Sequence, residues 1–284
     1  MPQPLKIIKN RIRSTENTRK VTNAMEMISV AKLNQIDKKL YAIRPYYSGF
    51  EKMFINLASS FHSADNPLFE KRKEIRNIVL CVVASDNGLC GLYNNNLFRR
   101  VEAFIREKGR EKISLILVGK KGLNYFAKKN MPILHKYLLM HGKYDPFISD
   151  QITGILKHLF LAGKADEVYV GYTNFKSALI QEPVVEKFLN IDFIPGKESQ
   201  YLVEPKPENL LEGLVSTYIV VNMRLIFLQA FTSEHAARSL AMRLATDNAE
   251  ELIRKLTIIR NKVRQANITQ EIMEVISSGE ALKG

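Results

Sequence analysis

A chain of 284 residues that is 46% apolar and 25% charged has the material for a real core, in one large or two ordinary domains. Its formal net charge of +13 favours an acidic partner, whether nucleic acid, an anionic membrane or an acidic protein surface, without choosing among them. No run approaches about 18 uninterrupted apolar residues, and the opening MPQPLKIIKNRIRS lacks the apolar core and cleavage site of a secretory signal, so neither a membrane span nor export is expected.

The first element is a long helix, expected over residues 1–62. From Ile36 an apolar stripe runs through Leu40, Ile43, Tyr47, Phe50, Phe54, Leu57 and Phe61, in alternating steps of four and three. Leu5, Ile8 and Ile12, then Val21, Met25 and Ile28, extend it toward the start. Such steps mark a narrow seam that pairs two helices side by side. Pro45 removes one helical hydrogen bond, so a bend is expected there, not an end, because the spacing continues through it.

A polar stretch with Pro67 leads into an α/β domain expected over residues 75–204. Residues 77–84 form a near-continuous apolar run of the kind buried on both faces of a sheet. Helices are expected at 93–108, 120–129 and 147–161, and strands at 113–118, near Ile133 and at 167–172. That alternation predicts an open, mostly parallel, Rossmann-like sheet with helices on its faces. Residues 177–204 read as extended segments that close it.

From Pro207 the pattern is helical again, over an expected segment 207–284. Pro207 suits a first helical turn. The seam passes through Leu211, Leu214, Tyr218, Val221, Leu225 and Leu228, then Leu252, Leu256, Ile259, Val263, Ala266 and Met273. About 70 helical residues span roughly 105 Å. Ser233 and Thr246-Asp247-Asn248 could instead cap or break the helix into two, and Gly279 and Gly284 suggest a frayed end. The fold class expected is therefore α/β with a long coiled coil of the two terminal helices.

Chemistry is sparse. Ser85-Asp86-Asn87-Gly88-Leu89-Cys90-Gly91 follows a buried strand, where an α/β fold can hold a phosphate, but its Gly-x-x-Gly spacing is not that of dinucleotide sites. Gly119-Lys120-Lys121-Gly122 fails the phosphate-loop spacing. Both read as tight turns. Five histidines stand without partners at metal-ligand spacing, and neighbouring Glu234 and His235 point different ways on a helix. Cys81 and Cys90 read as reduced thiols, one of them buried. No catalytic constellation, cofactor site or metal site is expected. Residues 1–57 carry 11 Lys and Arg against 4 Asp and Glu. In the neutral C-terminal part, Arg254, Lys255, Arg260, Lys262 and Arg264 crowd a stretch without acids, which is either a solvated helix face or a contact surface.

Several segments resemble the γ subunit of F-type ATP synthase: Arg11 to Met27 (RIRSTENTRKVTNAMEM), Ser85 to Gly91, Ser233 to Arg243 (SEHAARSLAMR), Ala245 to Ala249 and Asn261 to Ile272. The resemblance implies a rotor: an antiparallel, left-handed coiled coil of the terminal helices inside a ring of α and β subunits, and an α/β domain against the ε subunit and the membrane c ring. Catalysis then belongs to the β subunits, and no nucleic acid is expected as partner. Met25, Arg238, Arg254, Arg260, Gln265, Thr269 and Glu271 are implied contacts with β, and Tyr201 and Glu204 with the c ring. The implied place is the cytoplasmic face of a bacterial plasma membrane, held there peripherally through the complex. Asn23 and Asn87 stand where the family usually has Lys and Arg, and the Asn87 change argues against an ionic role for the turn. The cysteine-bearing insertion of chloroplast relatives is absent, so thiol regulation is not expected. The alternatives are a basic coiled-coil protein on nucleic acid and an α/β enzyme with helical arms. No known nucleic-acid module is visible, and steep loss of DNA binding with salt, or nucleotide titration, separates them.

Overall fold

The computed structural model describes residues 5–60, 67–72, 74–191 and 207–281. In chain order they form α1 (Leu5–Ser60), β1 (Ile78–Val83), α2 (Tyr93–Lys108), β2 (Ile113–Val118), α3 (Lys120–Ala127), β3 (Ile133–Tyr137), α4 (Pro146–Leu161), β4 (Glu167–Phe175), β5 (Gln181–Leu189) and α5 (Pro207–Ala281). Two compact units result, one from the chain ends (Met1–Ile28 with Ser239–Gly284) and one from Ser29–Arg238.

The larger unit is built on a five-stranded sheet in the order β3-β2-β1-β4-β5. The first four strands are parallel, and β5 returns antiparallel to β4. Strand β1 is buried at every position because both of its faces are covered. Ile78, Leu80 and Val82 pack with Leu97 and Val101 of α2 and Phe126 of α3. Val79, Cys81 and Val83 share a second core with Ile152, Leu156 and Phe160 of α4, and with Ile36 and Leu40 of α1 and a long stretch of α5. That is why β1 reads as an unbroken apolar run, whereas β5, an edge strand, is half-buried and tolerates Pro183. Helix α4 starts where its chemistry dictates. The Asp145 side chain accepts from the Phe147 amide at 2.9 Å, and Pro146 takes the first turn.

Helix α5 is one helix of 75 residues, and neither Ser233 nor Thr246 breaks it. Ser233 is fully buried and donates to the Thr173 carbonyl at 3.0 Å. In the larger unit the expected seam residues Val221, Leu225 and Leu228 are buried, but so are Val215, Ile219, Met223, Ile226, Phe227, Ala230 and Phe231. A helix with cores on several sides is apolar all round. This explains why α5 holds an 18-residue window of mean hydropathy 1.6, long and apolar enough by composition to cross a membrane, of which 56% is buried. Helix α1 runs unbroken through Pro45. Tyr47 and Tyr218 pair α1 with α5 here, their hydroxyls 3.2 Å apart. The helix also continues past Gly279, while Gly284, Phe61 and residues 192–206 lie outside the described residues.

In the smaller unit the two helices run antiparallel. Ile8 and Ile12 pack on Leu256, Thr22 meets Thr246 at 2.7 Å, and Arg19 reaches Glu250 at 3.1 Å. The period matches the expectation, and Leu5, Ile8, Ile12, Leu256 and Val263 face inward as expected, but other positions of the seam differ. On α1 the inward positions are Leu5, Ile8, Ile12, Thr15, Arg19, Thr22 and Glu26, so Val21 and Ile28 are exposed. On α5 they are Met242, Thr246, Ala249, Ile253, Leu256, Arg260 and Val263, whereas Leu252, Ile259 and Met273 face solvent. Steps of three and four at a 3.5-residue period give a left-handed supercoil.

Both cysteines are buried and free, not one alone, with the Cys90 sulfur against the Ser85 hydroxyl and the Asn94 amide. Burial pushes the Cys81 thiol up to about 12 and raises that of Cys90 as well. At Gly119 the backbone has φ +92°, and a Cβ would lie 2.2 Å from the Ala84 carbonyl oxygen. Gly119→Ala is therefore expected to cost roughly 2–4 kcal/mol, read as a lower denaturant midpoint; an unchanged midpoint contradicts this.

Candidate functional site

The turn at 85–91 follows β1 at the C-terminal end of the sheet. Its Asp86 carboxylate is buried and accepts three backbone N–H groups: Lys120 at 2.9 Å, Leu139 at 3.2 Å and His141 at 2.8 Å. The first of these is the leading amide of α3, whose own N-cap, Gly119, has no side chain to offer. A charge from another loop thus caps that helix. Inside the turn Ser85 donates to the Asn87 carbonyl at 2.7 Å, and Asn94 donates to Ser85 at 2.8 Å and to the Cys90 sulfur at 3.2 Å. The turn does have an ionic centre, then, but the charge is Asp86, not position 87.

Helix α5 closes over this turn with one polar face. Arg238 donates to Glu234 at 2.7 Å, and to the carbonyls of Asn87 and Gly88 at 3.2 Å each. His235 lies 3.0 Å from the Gly142 carbonyl and 3.3 Å from an Arg238 nitrogen. Arg only donates and a carbonyl only accepts, so Nε2 carries the His235 proton and Nδ1 accepts. Glu234 and His235 do converge, because Arg238 lies four residues from one and three from the other. Gly142 has φ +65°, and a Cβ there would lie 2.5 Å from His235 Nε2. Tyr93 adds a hydrogen bond from α2 to the Ala230 carbonyl at 3.1 Å.

Burial keeps His235 neutral and pulls its pKa from 6.5 to about 4; the Gly142 bond opposes this, and the Arg238 and Lys32 cations reinforce it. Burial raises the Glu234 carboxyl, against the pull of Arg238. For His235 the folded pKa lies below the unfolded one. Its contribution is complete above pH 6.5 and is lost as pH falls toward about 4, a loss of up to about 3 kcal/mol. Glu234 works in the opposite direction over the acid range. Urea unfolding is expected to show less stability near pH 4.5 than pH 7, with His235→Gln flattening the dependence. A His235 ring that titrates near 6.5 by NMR contradicts this.

The residues implied as β contacts do not form one cluster. Arg238 is buried and satisfied within its own chain. Met25 is half-buried on α1. Arg254, Gln265, Thr269 and Glu271 are exposed on α5, and Arg260 is half-buried beside Asn261. Thr269 turns its hydroxyl back to the Gln265 carbonyl at 3.0 Å. Tyr201 and Glu204 lie outside the described residues. From Arg264 to Gly279 every residue is exposed, including Ile268, Ile272, Met273, Val275 and Ile276. The roles of Asp86, Glu234 and Gly142 leave one trace in the sequence, the i,i+4 spacing of Glu234 and Arg238 within an apolar helix.

A family model described as ATP synthase matches residues 4–282. The chain is similar to the ATP synthase gamma chain of Geobacter sp. (strain M21), 39% identical over 290 residues that cover 99% of each chain. It is similar to that of Aquifex aeolicus (strain VF5) at 36% over 282 residues, 97% of each. Among solved structures it resembles a chain of the Euglena gracilis mitochondrial ATP synthase OSCP/F1/c-ring assembly, with TM-score 0.69 and 16% identity over 98% of this chain and 94% of that one. A chain of the Tetrahymena thermophila mitochondrial ATP synthase central stalk/c-ring is similar with TM-score 0.63 and 20% identity, over 79% of this chain and 99% of that one.

Proposed function

The chain belongs to the ATP synthase gamma chain family, and from that premise we propose how its parts act. It is the central rotor shaft of F-type ATP synthase, coupling ion-driven rotation of the membrane c ring to conformational cycling of the catalytic β subunits, and it belongs to the F1 part of a peripheral membrane complex. We place it at the cytoplasmic face of a bacterial plasma membrane. The two terminal helices, 1–62 and 207–284, serve as the shaft, and the α/β domain at 75–204 meets the ε subunit and c ring, with Tyr201 and Glu204 on the ring.

The observation that carries this reading is the end of α5. Sixteen consecutive residues, 264–279, are exposed on all sides and include five large apolar side chains. A single helix of that length is marginal in water, and its apolar residues call for a surrounding surface. We propose that the α and β subunits supply it. Gln265, Thr269 and Glu271 then meet β, with Arg254, Arg260 and Met25 further along. Arg238 acts through the 85–91 turn that it holds. Differential contact energy at each rotor angle selects a different β conformation.

The test is reconstitution. The chain is expected to co-purify with an α3β3 ring, and membranes lacking it are expected to lose ATP-driven ion pumping. Pumping that persists without the chain defeats the proposal.

A further inference from the structure

A rotor must turn as one piece, yet sheet and shaft helix are different elements, and something has to prevent α5 from twisting against the sheet. The buried apolar core resists this through interlocked side chains, but its dispersion contacts fix no bonding direction of their own. The residues Ala230, Ser233, Glu234, His235 and Arg238 lie within about two and a half turns of one helix. Each is nearly or fully buried. Between them they make directional bonds to four separate parts of the sheet domain. Tyr93 of α2 donates to the Ala230 carbonyl, Ser233 to Thr173 of β4, His235 to Gly142 after β3, and Arg238 to Asn87 and Gly88 after β1.

The two loops are themselves tied together. Asp86 in the first turn accepts from Leu139 and His141 of the second. Glu234 completes the arrangement by fixing the Arg238 fork, with one of its oxygens lacking a hydrogen-bond partner among the described residues. A buried polar network with defined geometry resists rotation in a way an apolar contact does not, since any roll breaks several bonds whose groups have no water to turn to. We infer that this cluster is a torsional lock, which fixes the angle of α5 to the sheet so that torque enters the shaft helix without slip; this rests on the rotor reading.

The test uses the full chain in the assembled complex with Tyr93→Phe and Ser233→Ala together. Both changes remove a donor while leaving its carbonyl acceptor within a helix or strand. Hydrogen exchange at residues 86–90 and 139–142 is expected to quicken about five- to thirtyfold, with β1 amides unchanged. With the ring immobilised and a probe on the α/β domain, angular fluctuations of the probe are expected to widen in the variant. Faster exchange with unchanged fluctuations reduces the cluster to a structural role and overturns the lock. Unchanged exchange overturns it too. If wild-type particles show no rotation at all, the rotor reading fails and the lock with it, whereas rotating wild-type particles with unchanged variant fluctuations overturn the lock alone.

Discussion

Arg238→Ala is expected to destabilise the chain by about 3–5 kcal/mol, the range for removing one partner of a buried ion pair. Three losses combine. Glu234, 1% exposed, keeps its carboxylate in a site with no cation in hydrogen-bond contact. The Asn87 and Gly88 carbonyls lose their donor, and His235 Nδ1 loses its bond. Removing both members, as Glu234→Gln with Arg238→Gln, is expected to cost less than the sum of the single changes, since neither charge is then stranded. A double-mutant cycle in urea checks this. Strict additivity, or a loss below about 1 kcal/mol for the single change, contradicts the network as drawn.

Ending the chain after Arg264 is expected to have the opposite profile. Residues 265–279 are exposed throughout and lie beyond Val263, the last half-buried position of α5. Their removal is expected to leave the stability of both units within about 0.5 kcal/mol, as for surface changes away from packed features. Coupling is expected to fall sharply, because the tip carries Gln265, Thr269 and Glu271 and the apolar side chains proposed to meet the ring. The measurement is ion pumping per ATP hydrolysed in membranes, alongside torque on immobilised rings. Coupling and torque equal to the full-length chain defeat the assigned contacts.

The contrast shows which parts of the molecule local sequence encodes. Periodicity located α2, β2 and α5 closely, because each side chain's burial follows from which face is covered. The seam was legible in period and, at Ile8, Ile12, Leu256 and Val263, in phase as well, but not throughout. Val21, Ile28, Leu252 and Ile259 look like core but are exposed, while Thr22, Thr246 and Arg19 occupy inward positions, with Arg19 reaching Glu250 at the margin of the seam. A hydrophobicity pattern cannot show that apolar residues face outward, since the surface expected to cover them lies on other chains. The Asp86 and Arg238 contacts were illegible for a different reason. They join residues 34 to 151 positions apart, to backbone groups that every residue possesses. The motif at 85–91 marked the place, and only the folded chain assigned the work.

The Thr22–Thr246 and Arg19–Glu250 pairs have a consequence for how the two helices bear axial load. A slip of one heptad would set Thr22 opposite Ile253 and Arg19 opposite Thr257, breaking the half-exposed Arg19–Glu250 pair and placing a hydroxyl in an apolar layer. Repeats made of leucine alone offer many nearly equivalent alignments, and polar pairs remove that degeneracy. Sliding one helix past its neighbour is therefore penalised, which favours axial load being carried as elastic strain within the helices.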